Sequence, residues 1–232
     1  RSFLYLRVLL GVAIVATAVF YMNGSDGEEG KGEILIDPFV TERGGPTTSF
    51  AFSRNNALWV SSSAGNDVYG TGSESQPFKT IQKGLNSMVD GQALAIKPGT
   101  YREAIDMPTV GTADKGLLVT GMGVDKTIID ITGTGGVHAF EFKDGASHIT
   151  LQNLSIKGAA EGLWSHGVYV NKRGSNRHVT LKNLDIQWQG QKDEGSCIFI
   201  FNQEDANLHV QNVTASGASD GIYLKGSSVI RI

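Results

Sequence analysis

From residue 57 onward the apolar positions come in short runs, each closed by glycine or proline. "ALWV" at 57–60 is followed by the glycine-punctuated loop "SSSAGNDVYGTG", and "ALAIKPGTY", "GLLVTGMG" and "TIIDITGTGG" follow further on. Runs of this length with turn residues at both ends predict strands. One stretch breaks the rule. In "SQPFKTIQKGLNSM" the residues Phe78, Ile81, Leu85 and Met88 fall at helical spacing, with Ser75 placed to cap and Pro77 in the first turn. One amphipathic helix is expected there, and the chain beyond it shows no second helical pattern.

Two motifs then recur in register. Leu151-Gln152-Asn153-Leu154-Ser155-Ile156 returns as Leu181-Lys182-Asn183-Leu184-Asp185-Ile186 and as Val210-Gln211-Asn212-Val213-Thr214-Ala215, at steps of 30 and 29 residues. Between them run Gly167-Val168-Tyr169-Val170, Cys197-Ile198-Phe199-Ile200 and Gly221-Ile222-Tyr223-Leu224, at steps of 30 and 24. A period of roughly 20 to 45 residues marks a stacked solenoid, and three short strands per repeat without a helix make one coil of a parallel β-helix. One coil cannot bury its inward face alone, so stacking sets Leu151 over Leu181 over Val210. Asparagine tolerates left-handed backbone angles at a bend, and its amide can bond the copies above and below it. Asn153, Asn183 and Asn212 are therefore expected to form a ladder. The fold class expected is all-β, a single-stranded right-handed parallel β-helix over residues 57–232 with an N-terminal capping helix. "SSVIRI" stops in mid-pattern, so further coils are expected beyond it.

Composition agrees with this reading and removes some functions. Glycine, at 30 of 232 residues against 5 prolines, suits many tight turns. The 20 Lys and Arg against 23 Asp and Glu form no basic cluster, so nucleic acid is not an expected partner. Cys197 is the single cysteine and is expected to be an idle thiol. At the amino end Arg1 and Arg7 precede an uncharged apolar run from Val8 to Met22, the form of an export signal or a short anchor over residues 1–22. Ala16-Thr17-Ala18 resembles a cleavage site, whereas Val19, Phe20 and Tyr21 prolong the apolar run; cleavage and retention both stay open. Residues 23–56 read as a flexible linker. The chain is expected to be secreted, periplasmic or at the cell surface, touching the membrane through its amino end if that segment is uncleaved.

The stretches "WVSSSAGND", "PFKTIQKGL" and "IKPGTYRE" resemble the opening module of right-handed β-helix polysaccharide lyases of the pectate lyase type, family 9 in particular. "GMGVDKTIID" also looks like early coils of pectin methylesterases, which share the fold. The resemblance implies that the helix closes the open end of the solenoid. The apolar pattern agrees, because an uncovered end exposes core and unpaired strand edges.

Alternation directs Val168, Val170, Ile198, Ile200, Ile222 and Leu224 inward, leaving Tyr169, Phe199 and Tyr223 to stack on the outer face of one sheet. Aromatic rings along a groove suit the apolar faces of sugars, and the resemblance implies that this sheet and its loops form a carbohydrate cleft. The other outcome is that long loops bury the three rings as a satellite core. Glu161, Asp193, Glu194 and Asp220 enter this sheet, and Lys172, Arg173 and Lys225 leave it. Elimination from a uronate needs a cation on the sugar carboxylate and a base for the α-proton. Asp193, Glu194 and Asp220 are the candidate calcium ligands; Lys225 is the candidate catalytic base, with Lys172 behind it. Solvated loop charge is the competing reading of all five. A hydrolase would instead set two carboxylates, Asp193 and Asp220, across a glycosidic bond. An esterase's aspartate pair and glutamines are not found.

His138, His148, His166, His178 and His209 are spread over several coils, and His148 with His178 recurs as part of the repeat, so no metal cluster is expected. "GMGVDKT" and "GTGG" lack the features of a phosphate loop. The expectation is an exported β-helix, acting as a monomer, that binds or cleaves an extended acidic polysaccharide, with a calcium-assisted uronate lyase as the enzymatic form. A non-catalytic adhesion or cell-surface β-helix, an epimerase and a glycoside hydrolase are the alternatives.

Overall fold

A computed structural model describes residues 5–8, 56–109, 111–112, 115–143, 145–159, 164–170, 178–189, 195–201, 207–225 and 229–231. After β1 (Tyr5–Val8), the chain enters β2 (Ala57–Val60) and α1 (Ile81–Asn86). Successive rungs follow: β3 (Ala93–Ile96), β4 (Gly99–Tyr101) and β5 (Ile105–Met107), then β6 (Leu117–Thr120), β7 (Thr127–Asp130) and β8 (His138–Phe142). Longer strands take over in β9 (Ile149–Ala159), β10 (Ser165–Val170), β11 (Val179–Gln189), β12 (Gly195–Phe201), β13 (Asn207–Ser216), β14 (Asp220–Lys225) and β15 (Val229–Arg231). All the pairings from β2 to β15 are parallel. The fold is a right-handed parallel β-helix, the hand that parallel crossovers adopt.

Three faces wind around one core. The first joins β2, β3, β6 and the leading halves of β9, β11 and β13; the second joins β4 and β7 to the trailing halves; the third runs β5, β8, β10, β12, β14. The long strands turn from first face to second at Asn153, Asn183 and Asn212, whose φ angles of 59°, 50° and 50° are left-handed. Asn183 Nδ2 donates to Asn153 Oδ1 at 3.0 Å, and Asn212 Nδ2 donates to Asn183 Oδ1 at 2.9 Å. Asn153 Nδ2 closes the series on Thr120 Oγ1 at 3.2 Å. The expected ladder is thus the corner of the solenoid.

The core stacks like on like. Leu151 lies beside Leu181 and Leu181 beside Val210, while Val168, Ile198 and Ile222 form another column. Trp188 is fully buried and lies in register with Gly158, where a Cβ would come 2.3 Å from the indole. Glycine there leaves room for the largest ring in the core.

The helix starts later than its spacing predicts. Phe78 forms a parallel bridge with Val60, its N–H bonding Trp59 O and its carbonyl accepting from Ser61 N, both at 2.9 Å. Residues around Phe78 are committed to a strand-like contact, so Ser75 and Pro77 lie ahead of the helix. Thr80 is the cap, its side chain accepting from Lys83 N at 3.2 Å. Phe78, Ile81, Leu85 and Met88 are all buried in the core. Gly84 lets α1 lie on the first rungs, for a Cβ would be 2.6 Å from Leu94 Cδ1.

Three surrounding stretches lock this cap. Glu103 accepts from Ile81 N and Gln82 N at 2.8 and 3.0 Å. Asp67 accepts from Lys79 N at 2.7 Å and from the Thr80 hydroxyl at 2.8 Å. The Tyr101 hydroxyl donates to Lys97 O at 2.8 Å, and Lys97 Nζ lies 5.6 Å over the Trp59 ring. These residues belong to "WVSSSAGND", "PFKTIQKGL" and "IKPGTYRE".

At the amino end β1 runs antiparallel to β14, with Tyr5 opposite Lys225. The remainder of the expected signal or anchor, and the expected linker apart from Asn56, lie outside the described residues. Among the described residues no helix is long and apolar enough to cross a membrane.

Candidate functional site

The third face carries two outward columns. Register aligns Asp106, Glu141, Tyr169, Phe199 and Tyr223 in one, and His138, His166, Ser196 and Asp220 in the other. The second column exists because strand alternation breaks. Ala139 and Phe140 are both buried in the core, as are Cys197 and Ile198, and a Cβ on Gly167 would meet Ile186 at 2.8 Å. Two consecutive residues therefore turn inward in each strand, and the residue before them emerges beside the aromatic column. Strict alternation would send His166 inward with Val168.

Tyr169, Phe199 and Tyr223 come together as the repeat predicts. The Phe199 and Tyr223 rings stack at 4.9 Å and 13°, and Tyr169 lies 5.6 Å from Phe199 at a tilted 46°. Phe199 is nevertheless covered, at 5% exposure, whereas Tyr169 and Tyr223 are half-buried. The face thus lies between the two outcomes expected, an open platform and a satellite core. Its cover includes Trp164, whose indole meets Phe199 edge-on at 5.9 Å and is itself 62% exposed.

Sequence reasoning read the histidines only as too spread for a metal cluster and did not place two of them on this face. His138 stacks on Tyr169 at 4.4 Å, His166 on Phe199 at 4.4 Å, and the two imidazoles lie parallel, 5.2 Å apart at 2°. A signal was available: His138-Ala-Phe-Glu-Phe and His166-Gly-Val-Tyr-Val occupy one register, 28 residues apart. His148 and His178 form a separate stack at another corner, at 4.5 Å and with φ angles of 54° and 56°. Their recurrence is structural, as the repeat implied.

Electrostatics on the third face follow from burial. It lowers the His138 imidazole to about 4. His166 falls to about 3, chiefly through burial and then through His138, against a hydrogen bond with Ser196 N. Burial and then Glu141 raise the Tyr169 phenol. Asp220 is buried beside Ser196. Lys143 Nζ is tied to Asp106 at 2.6 Å. Inside the core, burial pushes the Cys197 thiol up to about 11, and its Sγ contacts Ser216 O at 3.4 Å, which leaves it unreactive.

The remaining candidates are less fully placed. Lys225 ends β14 two residues beyond Tyr223, with Phe201 as its strand partner. Lys172, Asp193 and Glu194, with Glu161 and Arg173, lie outside the described residues. Among the described residues no three metal-binding side chains cluster. A groove of about 410 Å³ follows the asparagine corner between Asp125, Asp185 and Thr214. Its asparagine amides already bond one another and no aromatic residue lines it among the described residues, so the third face is the better-equipped surface.

The class defined is a parallel β-helix with an aromatic and histidine-lined outer face. Residues 63–230 match the family described as "Protein of unknown function (DUF1565)", and the chain belongs to that family. It is 26% identical over 141 residues to the uncharacterized protein YwoF of Bacillus subtilis (strain 168), covering 56% of this chain and 28% of that protein. It therefore spans little more than a quarter of that relative. Among solved structures it is similar to the GH136 lacto-N-biosidase of Eubacterium ramulus, with 13% identity and a TM-score of 0.38, over 68% of this chain and 34% of the other.

Proposed function

We propose that the third face binds an extended polysaccharide lying along the solenoid axis. The observation that carries this reading is the aromatic column: half-buried Tyr169 and Tyr223 flank buried Phe199, with exposed Trp164 at its edge. Strand spacing sets Tyr169 and Tyr223 roughly 10 Å apart along the axis, a span suited to successive sugars of one chain. The apolar run from Val8 to Met22 supports an exported or membrane-tethered setting, where such polymers occur.

In its enzymatic form the reading is β-elimination, in keeping with the resemblance to family 9 pectate lyases. Lys225 would take the α-proton, Lys172 would stand behind it, and Asp193, Glu194 and Asp220 would hold calcium against the sugar carboxylate. The position of Lys225 just past Tyr223 and of Asp220 at the start of the same strand supports it. Affinity electrophoresis of the full chain in a panel of polysaccharides tests binding. Ultraviolet absorbance with calcium and with chelator tests elimination on the acidic ones. Retention in at least one polymer is expected; free migration in all of them would sink the reading. Retention without growth of unsaturated product would make the protein a binding or adhesion β-helix, once product analysis excludes epimerisation.

A further inference from the structure

We infer that the outer side of the first face, over its first three rungs, is a docking surface within the chain, and that Phe50 and Phe52, from the stretch just ahead of β2, are its occupants. The inference is independent of the glycan reading and concerns a different face.

The first three strands of this face are apolar on both sides. In β2, β3 and β6 the residues Leu58, Val60, Leu94, Ile96, Leu117 and Val119 pack into the core, as alternation requires. The intervening Ala57, Trp59, Ala93, Ala95 and Leu118 form a second buried cluster, separate from the core. Strands buried on both sides read as unbroken apolar runs, and "ALWV", "ALAI" and "LLV" are such runs. Further along the solenoid the pattern stops. Register continues the column of Ala57, Ala93 and Leu118 into Thr150, Thr180 and His209, and the column of Trp59 and Ala95 into Thr120, Gln152 and Lys182. Along these two columns the outer side is apolar only in the rungs nearest the entry to the solenoid.

Something covers that patch. Ala95 and Leu118 are both 0% exposed. Among the described residues Met122 is the hydrophobic side chain packed against the cluster from outside it, and Lys97 Nζ lies 5.6 Å over the Trp59 ring. One thioether and one ammonium stem are too small to seal five residues on three strands. The burial arises within a single chain, so the cover is the chain's own.

Sequence and reach select the segment. β2 is preceded by "TTSFAFSRNN" at 47–56, where Phe50 and Phe52 alternate with Ser49, Ala51 and Ser53, so an extended backbone presents both rings on one side. Asn56 is drawn towards β3, its Oδ1 accepting from Gln92 Nε2 at 3.5 Å. The steps from Asn56 back to Phe52 span up to about 14 Å when extended. Three neighbouring strands cover roughly 10 Å. Phe50 and Phe52 can therefore lie back across β2, β3 and β6, where three alanines leave room for rings beside Trp59. The folded body then begins at Phe50, and the expected linker is shorter by the residues from there to Asn56. Ile34 to Ile36, beyond the turn residues Gly44, Gly45 and Pro46, is the competing occupant.

Thiol protection in the full chain tests this. Ala95→Cys places a probe thiol under the cover, and the buried Cys197 serves as an internal control for an intact core. Ala95→Cys should react with a maleimide slowly. Adding Phe50→Ser and Phe52→Ser should speed that reaction at least about tenfold while Cys197 stays protected. Adding Ile34→Ser and Ile36→Ser should not. Should the serine pair expose Cys197 as well, Phe50→Ala and Phe52→Ala taken singly replace it, and each should still speed labelling at Ala95→Cys. Labelling of Ala95→Cys at the rate of a free thiol, without further substitution, would overturn the docking surface. Protection that survives loss of both phenylalanines, or that is lost on changing Ile34 and Ile36 instead, would overturn the occupant.

Discussion

Replacing His138 and His166 together by asparagine should flatten the fall in stability between about pH 7.5 and about pH 5. In an unfolded chain an imidazole titrates near 6.5. In the fold burial holds His138 at about 4 and His166 at about 3. Both folded values are depressed, so the unfolded state takes up protons first. The stabilisation is present above 6.5 and is lost as pH falls towards the folded values. At about pH 5 a neutral buried imidazole facing a mostly protonated unfolded one has lost roughly 2 kcal/mol. The two together lose about 3–4 kcal/mol, with the less covered His138 giving the smaller share. That is a large fraction of a domain's usual 5–15 kcal/mol. Asp67, whose carboxyl is lowered from 3.8, acts in a more acid window. Urea midpoints at the two pH values, for wild type and His138→Asn/His166→Asn, give the difference directly, provided the slopes agree. The variant starts less stable, because asparagine packs poorly against Tyr169 and Phe199, but only the pH dependence is read. An equally steep acid loss in the variant would refute the argument.

Other perturbations test the scaffold. Gly158→Ala places a methyl 2.3 Å from the Trp188 ring and should destabilise the fold by about 1–3 kcal/mol, read from chemical denaturation. Asn183→Gly removes two ladder bonds but suits φ of 50°, whereas Asn183→Ala loses the bonds and adds strain. Alanine should therefore be about 1 kcal/mol worse than glycine in the same assay. At the cap, burial raises the Glu103 carboxyl above 4.5, with Asp67 adding to the rise, against the bonds from Ile81 and Gln82. Its contribution is full at lower pH and is lost as pH rises through the folded value. The stability of wild type relative to Glu103→Gln should therefore decline from about pH 4 to neutrality.

The solenoid was legible because its signal is repetitive. Leu151, Leu181 and Val210, with their asparagines, occupy identical positions in the sequence and adjacent positions in space, so register in one is register in the other. The aromatic column was legible for the same reason. The helix start was not, because the bridge from Phe78 to Val60 is a tertiary contact that helical spacing does not reveal. His138 and His166 were not assigned to this face because two successive inward residues, such as Cys197 and Ile198, break the alternation that assigns faces. The burial of Phe199 was also hidden, since it depends on how Trp164 is presented by the turn before β10. Charged candidates such as Asp193 and Lys172 lie outside the described residues and outside the two repeated motifs, so the repeat carries no register to place them.

The central claim is that the third face binds glycan, and hydrogen exchange with and without a retained polysaccharide tests it most directly. Slowed exchange should map to residues 164–170, 195–201 and 220–225, which carry Trp164, His166, Tyr169, Phe199 and Tyr223. Slowed exchange at the corner of Asn153, Asn183 and Asn212 instead, with the third face unchanged, would contradict the account and move the site to the asparagine groove.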